Sequence, residues 1–307
     1  MGQADMMTRR YMADPERFAD AFNYAIYGGR HVVDAGELAP LDPVGSAETP
    51  GGRRVERRRD GLRLWAAMRD GRAAYALLGV EDQTRPSAAM PARLMLYDAI
   101  AYADQVDELA RRNRSEGALG PDEWLSGLRG DDRLLPVVTL VVHFGPGPWE
   151  GATSLHAMLG ECDRGLLSHV PDYRMNLVSP ASMEEGDFRR FETELGLVLG
   201  YIRYSGDKRG LVDYVRGEAR FRCVGAQSVE LINALTDSRL EVPRGEERVD
   251  MCKAIEDMRE DARNEGAREN LVRNVRSLME SMGWTGWEAL DALRVPEAER
   301  AGVIAML

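Results

Sequence analysis

Hydrophobic and polar residues follow one another along the chain with a changing period, and each change marks an element. Asp14-Pro15 has the form of an N-cap followed by proline at the first helical position. Phe18, Phe22 and Ile26 recur behind it at four-residue spacing, which predicts a helix with Asp20 and Asn23 off its apolar stripe. Farther on the period shortens. Leu62 to Met68 and Ala73 to Val80 flank Asp70-Gly71, the dipeptide of a tight hairpin turn, so both arms read as strands. Between helix and hairpin, the Pro, Gly and Ser content of residues 39–59 predicts a loop that closes on Arg53, Arg54, Arg57, Arg58 and Arg59.

Met90-Pro91 starts a second helix that runs to about Arg112, with Leu94, Ile100, Val106 and Leu109 on its buried side and Arg93 and Tyr97 together on one face. The apolar run Leu134 to Phe144 is long enough for a buried strand, and Gly145-Pro146-Gly147-Pro148 ends it. Tyr173 to Val178 reads as another strand. Asp187 to Tyr204 reads as a helix with Phe188, Phe191, Leu195, Val198 and Ile202 inward. Helix, hairpin, helix, strand, helix gives a three-layer α/β domain with a mixed sheet over residues 1–205, its strand–helix–strand step a right-handed crossover.

Residues 206–307 read as a helical C-terminal region. Phe221, Val224, Val229, Leu231, Ile232 and Leu235 mark helices packed on or beside the first domain. A highly charged segment follows from Glu246 to about Met282, in which Asn264 and Gly266 interrupt the apolar stripe of Ile255, Met258, Leu271, Val275 and Leu278. Gly283-Trp284-Thr285-Gly286 breaks it, and Trp287, Leu290, Leu293 and Val295 outline a small helical cap. These helices suit either a homo-oligomer contact or a tethered hairpin.

Charge and cysteine content narrow the setting. The 307 residues carry a formal net charge of −11, which opposes general attraction to nucleic acid, so a local patch must carry any phosphate binding. Cys162, Cys223 and Cys252 are too far apart to suggest a disulfide framework and point to a reducing compartment. No apolar segment is long enough to span a membrane and the N-terminus has no secretory pattern, so a cytoplasmic location is expected. His156, Cys162 and His169 match no common zinc spacing. His143 reads as a strand-end histidine with its hydrogen bonds met rather than as a general base.

The hairpin carries the candidate chemistry. Opposed residues in it have numbers that sum to 141, as those of Asp70 and Gly71 do, which sets Asp60 opposite Glu81. Directly opposed residues have Cβ atoms about 4.5–5.5 Å apart. Two carboxylates there need a shared proton, an arginine or a divalent cation. A surface ion pair, with Asp60 ending its strand near Arg57 to Arg59, is the plainer alternative. The side-chain period of two puts Gln83 on the face of Glu81 and turns Asp82 away. Arg93, in the first turn of the next helix, can reach a phosphate or form a salt bridge, and Arg57, Arg58 and Arg59 are the dense basic run beside the pair.

Around this pair, the ordered blocks Met7 to Met12, Phe18 to Tyr24, Leu78 to Gln83, Met90 to Asp98, Leu134 to Gly145 and Val170 to Leu177 resemble the recombination-promoting nuclease or transposase family, a branch of the PD-(D/E)XK nuclease superfamily. The resemblance covers most of residues 7–205. It implies a restriction-endonuclease-like fold and a DNA endonuclease that depends on Mg²⁺ or Mn²⁺, with Asp60 and Glu81 as the metal-binding acids. It also implies Asp20, on the first helix, as an accessory metal ligand. Gln83 stands where the superfamily usually has lysine; its amide can orient water but carries no charge, and Arg93 is the candidate to supply it. A catalytically degenerate nuclease fold, kept as a DNA-binding or protein-interaction module, is the alternative.

Overall fold

The stripe behind Asp14-Pro15 forms its helix, and the two hairpin arms expected around residues 70–71 pair in a single register. The computed structural model of the protein describes residues 3–40, 44–48, 54–58, 61–69, 72–83, 87–117, 119–236, 238–243 and 245–307; for Pro40, the strands between 44 and 83 and residues 257, 258, 261, 262 and 264 it describes the backbone only. Two helices come first, α1 (Gln3–Met12) and α2 (Pro15–Tyr27). Next are β1 (Leu38–Pro40), β2 (Val44–Glu48), β3 (Arg54–Arg58), β4 (Gly61–Arg69) and β5 (Arg72–Gln83). Then follow α3 (Met90–Glu116), β6 (Val137–His143), α4 (Arg164–Leu167), β7 (Asn176–Val178), α5 (Leu195–Tyr204), α6 (Lys208–Gly217), β8 (Val224–Gly225), α7 (Ala226–Thr236) and β9 (Arg248–Val249).

The fold is mixed α/β. One sheet has the order β1-β4-β5-β6-β7, in which β4 is antiparallel to β1 and β5, and β5, β6 and β7 run parallel. Every described pair of the β4–β5 hairpin, from Arg69↔Arg72 to Gly61↔Val80, has numbers that sum to 141. From Thr139 to His143 β6 is buried, and Leu140, Val141 and Val142 show that both of its faces are packed there. Val141 joins Met90, Leu94 and Tyr97 of α3 and Met175 in one cluster. Leu140 and Val142 point to the other face, where α2 lies against β6 and β7.

Asp14 caps α2 by accepting from the Glu16 amide at 2.8 Å, and Phe18 and Phe22 are buried as their spacing predicts. Ile26 departs from that stripe; in the last turn it is 43% exposed. The loop expected over 39–59 is instead partly strand, since β2 and β3 pair from Val44↔Arg58 to Glu48↔Arg54 and β2 lies against α3. Short strands with no run of alternating apolar residues give no periodicity to read. The helix expected over 187–204 is two pieces, a 3₁₀ turn at Glu185–Arg190 and then α5. Its predicted inward residues are all buried, but the backbone amides of Glu192 and Thr193 donate to Asp20 rather than up a helix.

The chain divides into two compact units, Met1–Val249 and Asp250–Leu307, so the boundary expected at residue 205 falls inside the first, which also holds α6 and α7. The second unit contains α8 (Met251–Met282), α9 (Gly286–Ala292) and α10 (Glu297–Ile304). α8 runs unbroken through Asn264 and Gly266, where the apolar stripe is interrupted. The sequence spaces Glu256/Arg259, Glu260/Arg263, Glu265/Arg268 and Glu269/Arg273 three or four apart, and such pairs offset the cost of one glycine. Gly283, at φ +68°, ends the helix, and Thr285 with Glu288 forms a capping box for α9. Val272, Val275, Ala289, Leu290, Val295 and Val303 make the core of this unit, whereas Trp287, expected in the cap, is 53% exposed.

In the first unit α5 and α6 meet where Gly200 leaves room for Tyr214. The Tyr214 hydroxyl is buried without a partner among the described residues, and a Cβ on Gly200 would lie 1.9 Å from it. Removing that hydroxyl in Tyr214→Phe is therefore expected to keep stability or raise it by up to about 1 kcal/mol. Gly200→Ala should lower it by about 1–3 kcal/mol. Urea denaturation of the two variants beside the wild type checks both signs.

Candidate functional site

The parallel pairing of β5 with β6 sets the frame of the candidate site. Glu81 is in register with Val141, and Gln83 with His143, at the C-terminal ends of the two strands. Val141 and His143 are two apart and share a face, and that face is the one covered by α3. The hairpin ladder is described as far as Gly61↔Val80, so the opposition of Asp60 and Glu81 lies one pair outside the described residues, as does Arg59. Arg57 and Arg58 are in β3, opposite Gly45 and Val44. For these two, as for Glu81 and Gln83, the backbone is what is described.

His143 is buried. Its Nδ1 lies 3.3 Å from Ser179 Oγ, and its ring meets Trp149 edge-on with centroids 5.4 Å apart. Burial pushes its pKa below the ordinary 6.5, so at neutral pH it is an uncharged imidazole beside the Gln83 position. That agrees with the reading of His143 as a strand-end histidine with a partner. Arg93 shares a face with Tyr97, as its spacing predicts: Nη2 donates to Tyr97 Oη at 3.0 Å, and the guanidinium lies 5.7 Å from that ring's centroid. Tyr97 is itself buried in the cluster with Val141, so the anchor of Arg93 stands on the strand next to Glu81.

One turn of helix beyond Leu94, Asp98 is a carboxylate in the apolar stripe of α3. It is buried, and it accepts from Thr139 Oγ1 of β6 at 2.7 Å and from the Tyr173 hydroxyl in the approach to β7. Asn176 Nδ2 donates to the Thr139 carbonyl at 3.0 Å. Sequence reasoning passed over this set, although an acid at a stripe position is a signal that a buried partner must exist.

Asp20, expected as an accessory metal ligand, has its oxygens occupied by protein donors. It is 4% exposed and accepts from Glu192 N at 3.1 Å, Thr193 N at 2.8 Å and Thr193 Oγ1 at 2.6 Å. Burial raises its pKa above the ordinary carboxylate value, against the pull of those three donors. It borders a cleft of about 1330 Å³ in which Glu194 pairs with Arg248 at 2.8 Å and Glu192 with His31 at 2.9 Å. Among the described residues no group of three or more His, Cys, Asp and Glu is arranged to hold a metal, a statement that does not reach Asp60 or the Glu81 side chain. Also among the described residues, no helix is long and apolar enough to cross a membrane, and the three cysteines form no disulfide. No protein-family model, curated protein or solved structure matches the chain.

The depressed His143 value has a pH consequence. Because the folded imidazole resists protonation, its contribution to stability is complete above about pH 6.5 and is lost as pH falls from there through the lower folded value. Nuclear magnetic resonance titration should show His143 titrating below 6.5, and His143→Gln should flatten the loss of urea stability between neutral and mildly acid pH. For Asp20, Asp20→Ala is expected to cost about 2–4 kcal/mol, because it strands the donors of residues 192 and 193. Its Mn²⁺ affinity should stay that of the wild type, and lost affinity at unchanged stability would restore Asp20 to the metal site.

Proposed function

We propose that the chain is a divalent-metal-dependent endonuclease of the PD-(D/E)XK type, cutting DNA phosphodiester bonds in recombination or mobile-element biology. The observation that carries this reading is the register. The hairpin ladder runs without a bulge to Gly61↔Val80, one pair short of Asp60 and Glu81, while the parallel ladder sets Glu81 and Gln83 beside the α3-covered face of β6. A hairpin followed by a helix and a parallel strand is the frame on which a restriction-endonuclease-like fold carries its acids.

The donor set fits the cation. Carboxylate and amide oxygens are the ligands that Mg²⁺ and Mn²⁺ prefer, and the imidazole beside Gln83 is kept neutral by burial and does not repel a cation. Asp60 and Glu81 would hold it; when bound it supplies Lewis acidity at the phosphate and at the attacking water. The Gln83 amide orients that water. Arg93, steadied by the buried Tyr97, offers the fixed positive charge that a lysine would otherwise bring. Arg57, Arg58 and Arg59 supply phosphate contacts on the approach. With both oxygens of Asp20 already accepting from residues 192 and 193, two acids rather than three make the metal site.

A second reading is a nuclease fold without catalysis, acting as a DNA-binding or protein-interaction module. The glutamine at 83 and the commitment of Asp20 to the protein favour it. Supercoiled plasmid incubated with Mg²⁺ or Mn²⁺ separates the two. Wild type is expected to nick or linearise it, and Asp60→Ala and Glu81→Ala to fall at least about a hundredfold, with a chelator silencing all three. No cleavage by folded wild type on plasmid, single-stranded and branched DNA would leave the module; equal cleavage by all three would move the site elsewhere.

A further inference from the structure

The surface of the first unit is uneven in charge, and α6 and its flanks carry an excess of cations. Residues 203–222 hold Arg203, Lys208, Arg209, Arg216, Arg220 and Arg222 against three acids, in a chain whose net charge is −11. Arg203 is in the last turn of α5, Lys208, Arg209 and Arg216 are in α6, and Arg222 ends the 3₁₀ turn Ala219–Arg222 that follows. These five are exposed. Two of the three acids have partners: Glu218 pairs with Arg189 and Arg220, and Asp207 accepts from the Arg209 amide as the cap of α6. The third, Asp213, is exposed on α6 itself. Among the described residues Arg203, Lys208, Arg209 and Arg222 form no ion pair.

Packing gathers these cations. Tyr214 of α6 meets Tyr204 with ring centroids 4.8 Å apart and Phe221 at 5.5 Å. Arg203 and Arg222, the chain neighbours of those two rings, are thereby held beside α6. Arg209 and Arg216 are seven apart, two turns of helix and about 10.5 Å, on the side away from Tyr214 and the buried Val215. A helix favours acids in its first turn, but α6 has none there and begins with Lys208 and Arg209, which its dipole opposes. Such a departure from a local rule costs stability and is expected where function requires it. α5, on which α6 packs, also lies against the 3₁₀ turn Pro180–Ser182 that follows Ser179, the partner of His143.

From this juxtaposition of unpaired cations along one helix in an acidic chain, we infer that the outer side of α6, with Arg203 and Arg222 beside it, is a track for the phosphate backbone of duplex DNA. The inference rests on the nuclease reading for its choice of polyanion. It adds a phosphate contact apart from the arginines at 57–59. The ten residues of α6 extend about 15 Å. Each strand of a duplex carries a charge about every 3.4 Å, so the track spans about four phosphates. An anionic lipid surface is the less suitable partner, since Tyr214 and Val215 are packed into the fold and are not free to enter a bilayer.

Fluorescence anisotropy of the full chain with a fluorescein-labelled duplex in EDTA, over a series of salt concentrations, tests the track apart from cleavage. Lys208→Ala/Arg209→Ala and Arg203→Ala/Arg222→Ala should each make the log–log salt slope shallower by about 1.8. Combined, they should weaken binding more than about tenfold near 0.1 M salt. Arg263→Ala/Arg268→Ala, which removes the same charge from α8, should leave the slope unchanged, and lysine at 203, 209 and 222 should keep it. Melting temperatures should not fall, because none of the four side chains is in an ion pair; should one fall, glutamine takes the place of alanine with the same outcomes. An unchanged slope in either pair, an equal drop in the α8 variant, or a wild type that binds phosphatidylcholine–phosphatidylserine vesicles and no duplex would each overturn the track. Plasmid cleavage is scored separately. Cleavage with an unchanged slope removes the track and leaves the nuclease, and a lost slope without any cleavage keeps the track and removes the nuclease.

Discussion

A carboxylate buried between a helix and a sheet must be given donors where it lies, and Asp98 does this between α3 and two strands at once. Thr139 on β6 and Tyr173 before β7 both donate to it. Hydrogen bonds in a site of low dielectric are both strong and directional. The tie therefore fixes how far α3 slides along the parallel strands as well as how closely it packs. Everything the candidate site needs from α3 follows from that setting, because the Arg93–Tyr97 pair is one turn away on the same helix and shares its cluster with Val141.

The same logic recurs on the other side of the first unit. Asp20 of α2 holds the amides of residues 192 and 193, and the next residue, Glu194, accepts from Gly225 N at 3.0 Å and Ser228 Oγ at 2.6 Å at the start of α7. Ser228 in turn meets the Tyr11 hydroxyl of α1 at 3.0 Å. A single break in the chain before α5 thus carries connections from α2 to α7 and α1. The cleft around it is polar because it is built of these cross-ties.

Much of this was legible in the sequence where a local rule had one answer. Asp14-Pro15 could only start a helix, and Asp70-Gly71 fixed a register that the described ladder follows through nine pairs. The apolar run at Leu134 to Phe144 gave β6 because a strand packed on both faces has no polar side to hide it. What stayed hidden depends on partners far away in the chain. No local signal tells that Asp20 will meet residue 193, so its burial, the break before α5 and the engagement of its oxygens by the protein all escaped together. β2 and β3 escaped because, among the described residues, each pairs with the other alone, whereas α8 continues through Gly266 because Glu–Arg spacing supports a helix where the apolar stripe lapses. Of the candidate site, the residue types and the hairpin register could be read in advance. The neutrality of His143 and the anchoring of Arg93 needed the third dimension.

The hairpin register also bears on how such a sequence can vary. Side chains alternate faces with a period of two, so gaining or losing one residue in either arm between the turn and Glu81 would turn every later residue to the opposite face relative to its partner. Substitution in these strands alters one position at a time; a change in their number re-phases the whole set, including the step from Gln83 to its neighbour His143. The number of residues between positions 61 and 83 is therefore a constraint on this sequence separate from, and additional to, the identity of site residues such as Glu81 and Gln83.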